Sequence, residues 1–354
     1  MASTRRRGER FTGLYRDATG AQKSAGTYDT EDEALARAKV KELDARPPKP
    51  VEVHASSVRG RITVAGYAPG WLERRVSLEP NTRDTYESSV KHIVRTLGGT
   101  PVQDATTEDV QRLIRALRKL GRSDATVRHV VTVASLMFKS AVKSGLCDDN
   151  PCDDEDLKVK IRDQREMMIA TREQAEAIED AMPERYKLLV RALFATGCRW
   201  SEMIGLCGTD VGLKGSVYVV KIRRTVNETW KVGLYEKPYG KSEKATRDIS
   251  VPAGLAKDLM ACGGRLCFPN TAGGWLRRAD FRQRAWIPAC KAAGIQGLRV
   301  HDTRHSAISW WANSGIPLAA VRDRAGHSNI SVTSRYIHVM PGEDPFLAAL
   351  GEAA

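Results

Sequence analysis

The stretch Gly297–Val339, GLRVHDTRHSAISWWANSGIPLAAVRDRAGHSNISVTSRYIHV, decides how the rest of this 354-residue chain is read. It carries His301, Arg304, His305, His327 and Tyr336 on consecutive short segments, with apolar residues between them that can hold each segment against one core. Arg304, Ile308 and Trp311 recur at helical spacing and Gly315 lies just past the predicted end, so the first segment is a helix. His301 and Arg304, three residues apart, share one of its faces. Pro317 opens a second helix, where its missing amide proton costs nothing, and Leu318 and Val321 give that helix a buried side up to Gly326. His327 follows in the turn. Ser331 is the expected N-cap of a third short helix that presents Tyr336. A tyrosine beside His and Arg is a candidate nucleophile.

Upstream, the spacing predicts a buried helix over Glu184–Phe194, with Tyr186, Leu189, Val190 and Leu193 inward. Gly197 permits a sharp turn after it. Arg199 leaves that turn at the start of the next helix, fixed for two-point recognition of a phosphate, and Glu202, one turn later, is placed to hold it. Ser216–Arg224 alternates like a half-buried strand, with Thr229–Tyr235 and Thr246–Val251 as its expected neighbours. Between the last two lies EKPYGKSEK, residues 236–244, a loop crowded with lysines, any of which could be merely solvated or could protonate a leaving oxygen.

The formal charge of +13 points to a polyanionic partner, although membrane surfaces also attract basic proteins. No apolar run approaches the length needed to cross a bilayer, and the first ten residues are polar and basic without a signal-peptide core. Seven cysteines, with no paired C-x-x-C spacing, suggest neither a disulfide framework nor a zinc ribbon. Cys198 and Cys207 are read as packing residues, and an intracellular, reducing compartment is expected.

The length suits two or three domains. Near the amino terminus, Arg10–Arg16 and Gln22–Tyr28 are predicted strands around an Asp17–Gly20 turn, with Ser3–Arg7 as a further strand. Thr30 and Glu33 have capping-box spacing ahead of a helix that lays Ala34 and Ala38 on the sheet. Residues 47–50, PPKP, form a stiff linker. Three helices follow. Asn81 is the expected cap of one with Tyr86, Val90, Ile93 and Leu97 on a stripe; Thr106 and Asp109 open the next; the third runs from about Ala125 to Gly145. Trp71 belongs to an earlier short helix. Arg83, Lys91, His92, Arg112, Arg118, Lys119, Arg128 and Lys139 fall on outward positions, as a solvated face or as phosphate contacts. The acidic run over 148–156 could attract Mg²⁺, but it sits in a linker without a partner motif. His301 with His305 has zinc-ligand spacing, yet the following Asp302 and Thr303 lack the glutamate of the helical zinc motif.

Taken together, Arg199, a lysine in a β-hairpin, His301-x-x-Arg304, Gly326-His327 and Tyr336, in this order, resemble the active-site set of the tyrosine recombinase (phage integrase) family. The resemblance is specific from Thr171 to about Val339; the helical segment is similar to the family's core-binding domain only in size and helix content. The amino-terminal sheet and helix resemble the arm-type DNA-binding domain of phage integrases. Cys198 and Ala325 stand where the family often has Leu.

The resemblance implies a multidomain α+β fold: a small three-stranded sheet plus helix (1–46), a linker (47–63), a helical core-binding bundle (64–148), a second linker (149–168), a mixed α/β catalytic domain (169–340) and a tail (341–354). It implies a DNA strand transferase in which Tyr336 forms a 3′-phosphotyrosyl bond, Arg199 and Arg304 clamp the non-bridging oxygens, and His301 and His327 add donors. His301 is also the candidate base. Lys241 is the favoured acid, with Lys244 the alternative, and Glu202 and Asp302 are supporting carboxylates. No metal, cofactor or ATP is required. Expected partners are double-stranded DNA at core and arm sites, three further copies of the chain in a tetramer, a host DNA-bending protein and an excision directionality factor, in a bacterial host's cytoplasm or nucleoid. The tail, through Phe346, Leu347 and Leu350, docks either on a neighbouring copy or on its own domain. A type IB topoisomerase-like nicking-closing enzyme would use the same residues, and a non-catalytic DNA-binding regulator would have no use for Tyr336.

Overall fold

The computed structural model describes residues 2–17, 19–45, 61–157, 159, 167–238 and 247–336. The chain divides into two compact units, Met1–Gln164 and Arg165–Ala354. No helix among the described residues is long and apolar enough to cross a membrane.

The first unit opens with an antiparallel sheet, β1 (Ser3–Arg7), β2 (Arg10–Arg16) and β3 (Gln22–Tyr28), in the order β1-β2-β3. Helix α1 (Glu31–Ala45) follows, and the Glu33 amide donates to the Thr30 hydroxyl at 3.3 Å at its start. Ala34 and Ala38 are fully buried on the sheet. The approach is close because β2 presents Gly13, where a Cβ would strike the Ala34 carbonyl oxygen.

The same unit holds the helices α2 (Val64–Glu73), α3 (Pro80–Leu97), α4 (Thr107–Lys119) and α5 (Asp124–Lys143). Thr106 and Asp109 form a reciprocal capping box on α4, satisfying two amide donors that a helix start leaves orphaned. Trp71, Ile93, Leu97, Leu113, Leu117 and Phe138 are each buried at 1% exposure or less in one core. Trp71 stacks on Tyr86 with centroids 6.0 Å apart. Two expectations are corrected. Helix α3 starts at Pro80 with Glu79 as N-cap, not at Asn81, because proline's fixed φ suits the first helical position. His92, assigned to the outward face, is buried where α4 packs on that flank of α3. Arg128 does face outward, but its guanidinium donates twice to the Val159 carbonyl, at 3.0 and 2.6 Å.

In the second unit, α6 (Arg172–Asp180) opens on a Thr171/Gln174 capping box and lies against α7 (Glu184–Thr196). After the short helix α8 (Trp200–Met203) come β4 (Val211–Lys214), β5 (Val217–Ile222), β6 (Arg224–Thr229), β7 (Gly233–Pro238) and β8 (Arg247–Ser250). They make an antiparallel sheet β4-β5-β8 and a separate hairpin β6-β7. Thr229–Tyr235, expected as a strand, instead spans the hairpin's reversal: Thr229 pairs with Gly233, whose φ of 77° turns the chain. The apolar Trp230 and Val232 that suggested a strand are 70% and 62% exposed at its tip.

Helix α9 (Ala253–Met260), α10 (Arg278–Phe281), a π-helical turn over Arg282–Trp286 and α11 (Ile287–Ala292) cover the core. The last three helices are α12 (Asp302–Ala312), α13 (Leu318–Ala325) and α14 (Ile330–Ser334). The cap of α14 is Asn329, whose side chain accepts from the Ser331 amide at 3.0 Å, and not Ser331 itself. The multidomain α+β class read from the sequence is the observed one.

Candidate active site

Two left-handed glycines set the site's frame. Gly197 (φ 59°) ends α7 and Gly326 (φ 70°) ends α13. Each leaves carbonyls at a helix end without intrahelical partners. Arg304, on α12 and 2% exposed, fills that need at both ends: one terminal nitrogen donates to the Gly197 carbonyl at 2.8 Å, the other to the Ala325 carbonyl at 2.6 Å. Burial, then the nearby charge of Arg199, lowers its pKa to about 10, which leaves it charged at neutral pH.

Arg199 is the N-cap of α8. Its amide donates to Glu202 Oε2 at 2.8 Å and its guanidinium to Oε1 at 2.9 Å. The side chain is 38% exposed, and a second terminal nitrogen reaches the Gly326 carbonyl at 3.5 Å. Glu202 is buried and also accepts from Arg247, at 2.7 and 3.1 Å. Burial alone would raise its pKa; the hydrogen bond and charge of Arg247, then Arg199, override this and hold it at about 2. Arg247 in turn donates to the Arg324 carbonyl at 3.1 Å and lies against Gly326, where any Cβ would meet its guanidinium.

The three histidines are mostly neutral at pH 7. His301 presents an edge to solvent, yet the surrounding protein, then His305 and Arg304, pull its pKa down to about 4. His327 is brought to about 4 by burial, then by Arg304 and Arg199; its Nδ1 lies 2.9 Å from the Thr333 hydroxyl. His305 is also lowered, chiefly by burial. Tyr336 is 3% exposed, and its ring lies parallel to that of His327 with centroids 6.3 Å apart. Burial raises its pKa, while Arg304, Arg335 and Arg199 oppose the rise.

Arg199, Glu202, His301, Arg304, His327 and Tyr336 are thus linked into one constellation within one chain. Asp302 stands beside it: fully buried, it is bound by Arg299 through the amide at 2.7 Å and the guanidinium at 2.7 Å, and its charge acts on His301 and His305. Lys241 and Lys244 lie outside the described residues, as does the tail over 341–354. The hydroxyl of Tyr336 meets His305 Nδ1 at 2.6 Å, and not His301, the residue expected to take its proton. His301 stands behind, its ring edge-on to His305 at 4.8 Å. Sequence reasoning misses Arg247, and it notes His305 only for its zinc-ligand spacing from His301, with no catalytic role. For His305 a signal existed, since its four-residue spacing from His301 puts both on one helix face.

Residues 166–343, half of the chain, match the sequence profile described as Phage integrase family. The chain belongs to that family. Its members include site-specific DNA recombinases that act through a tyrosine, and the chain is an enzyme of this kind. It is 31% identical over 295 residues to the prophage phiRv2 integrase of Mycobacterium tuberculosis, covering 80% of this chain and 76% of that protein. It is 26% identical to the integrase of Mycobacterium phage D29, covering 84% and 80%. Among solved structures it resembles the Tn1549 transposon integrase in complex with a circular intermediate DNA, at 19% identity and a TM-score of 0.71 over 83% of this chain and all of that one. A lambda integrase dimer bound to a core site is similar at 17% identity and a TM-score of 0.60, over 97% of both chains.

Proposed function

We propose that Tyr336 is the nucleophile of a phage or prophage integrase, attacking a DNA phosphodiester to form a 3′-phosphotyrosyl bond and release a 5′-hydroxyl. The observation that carries this is that Tyr336, buried in its own chain, lies against His305 and His327, next to the Ala325 and Gly326 carbonyls that Arg304 and Arg199 reach. As the oxygen attacks, negative charge grows on the non-bridging oxygens. Preorganised donors aimed there are commonly the largest catalytic contribution. Arg304, anchored by two carbonyls, and Arg199, anchored by Glu202 and 38% exposed, supply a fixed clamp. His301 and His327 add donors. A lysine of the 236–244 loop, Lys241 by preference, protonates the departing 5′-oxygen.

Because the phosphotyrosyl bond conserves the energy of the broken ester, a 5′-hydroxyl from another strand reverses the step, and strand exchange needs no ATP. The substrate is double-stranded DNA, consistent with the +13 charge. The 64–148 helices grip the core site and the amino-terminal sheet and helix grip arm sites. Lambda integrase is seen as a tetramer on a Holliday junction, and four copies of this chain assemble likewise, in a bacterial host's cytoplasm or nucleoid, with a host bending protein and a directionality factor. Covalent trapping on a nicked core-site duplex, followed by peptide mapping, tests the reading. The adduct is expected on Tyr336 and absent in Tyr336→Phe. Relaxation of supercoiled DNA lacking any attachment site would point instead to a nicking-closing enzyme.

A further inference from the structure

Three groups could receive the Tyr336 proton, and the geometry separates them. His327 has its Nδ1 engaged by Thr333 and lies flat against the tyrosine ring, not at its hydroxyl. His301 touches His305 but makes no hydrogen bond to Tyr336 among the described residues. His305 Nδ1 is 2.6 Å from Tyr336 Oη and is the hydroxyl's only hydrogen-bond partner among the described residues. A buried phenol directs its proton to whatever acceptor it has. With Tyr336 as the donor, the proton lies on the line to Nδ1, and the neutral ring carries its own hydrogen at Nε2.

We propose that His305 is the base that takes the Tyr336 hydroxyl proton in strand cleavage and the acid that returns it in ligation. The inference rests on Tyr336 being the nucleophile. In cleavage the Oη–H bond breaks and its proton moves to the Nδ1 lone pair. The Oη–phosphorus bond forms as the bond from phosphorus to the 5′-oxygen breaks, and that oxygen takes a proton from the loop lysine. In ligation each transfer runs backwards: the 5′-hydroxyl attacks phosphorus, and His305 protonates the departing phenolate. A candidate base must lie within hydrogen-bond reach of the proton it abstracts, and His305 already does before DNA arrives.

The surroundings suit a base that is neutral at rest. On its own helix and the turn before it, Arg299, His301, Asp302 and Arg304 face His305; from the segments packed against it come Tyr336 and His327. Burial above all disfavours a resting imidazolium; Asp302 opposes it, and Arg299 and Arg304 add to it.

Single-turnover adduct formation on a nicked duplex carrying the core site would be measured for the full chain and for His305→Ala, His305→Asn, His305→Gln and Tyr336→Phe. Asparagine and glutamine offer the hydroxyl an acceptor but cannot take up its proton, and they keep the test valid if the alanine variant folds poorly. All three His305 variants are expected to form adduct about 100-fold more slowly, with DNA binding within a few fold of wild type. Their rates should climb about tenfold per pH unit above neutrality, where the wild-type rate is flat because its base is already unprotonated. Wild-type rate in His305→Asn or His305→Gln, or an unchanged pH profile, would overturn the proposal by making His305 a tether alone. An adduct surviving in Tyr336→Phe would instead remove the nucleophile assignment, whatever the His305 variants do.

Discussion

Arg247 and Glu202 form a two-point ion pair, at 2.7 and 3.1 Å, directly behind Arg199. Arg247 is the first residue of β8 and also binds the Arg324 carbonyl on α13. One buried carboxylate therefore ties β8 to Arg199. Arg247→Ala is expected to destabilise the second unit by about 3 kcal/mol, because Glu202 loses its principal counter-charge while buried. Thermal unfolding and adduct formation should both fall; an unchanged melting temperature would show that Arg199 alone supports Glu202.

The same carboxylate predicts a pH effect. Its folded pKa of about 2 lies below the ordinary 4.5, so the stability it contributes is fully present above 4.5 and is lost as pH falls towards 2. The whole contribution is of order 3 kcal/mol. Glu202→Gln should be less stable than the wild type at neutral pH, and the gap should close on acidification. Melting curves of the two proteins from neutral pH downward would check this, and a constant gap would contradict it.

Arg199→Ala and Arg304→Ala should both abolish cleavage while leaving DNA binding within a few fold, but they should differ in stability. Removing Arg304 strands the Gly197 and Ala325 carbonyls inside the protein, at a cost of about 1–3 kcal/mol each. Arg199 is partly exposed, and Arg247 remains on Glu202 when it is removed. Calorimetry should therefore show the larger loss for Arg304→Ala.

Asn329 holds the helix that leads to Tyr336. Asn329→Ala removes the side-chain cap of a five-residue helix, worth about 1 kcal/mol. So short a helix has little else of its own to hold it, and adduct formation should drop several-fold with DNA binding unaltered. An unaffected cleavage rate would mean that the His305 and Asn313 contacts suffice to hold Tyr336.

Deleting Met1–Ala45 should remove binding to arm sites yet spare cleavage of a nicked core substrate. Loss of both would assign the sheet and α1 a part in core recognition.

Local signals in the sequence determined a great deal. Capping boxes at Thr106 and Thr171, glycines at 197 and 326 and apolar stripes on α4 and α7 act within a few residues, so the helices of both units could be read before any contact was known. The order of Arg199, His301, Arg304, His327 and Tyr336 marked the family for the same reason, since each lies in a short recognisable segment. The hairpin reversal at Trp230 misled because exposed and buried apolar residues look alike in one dimension. What only the tertiary structure decided is which groups meet across long separations. Arg247 reaches Glu202 from 45 positions away, and His305 reaches Tyr336 from 31, so neither contact leaves a local pattern. Burial then turns such contacts into chemistry, because a hydroxyl or carboxylate withdrawn from water must take its partner from whatever side chain the fold brings near.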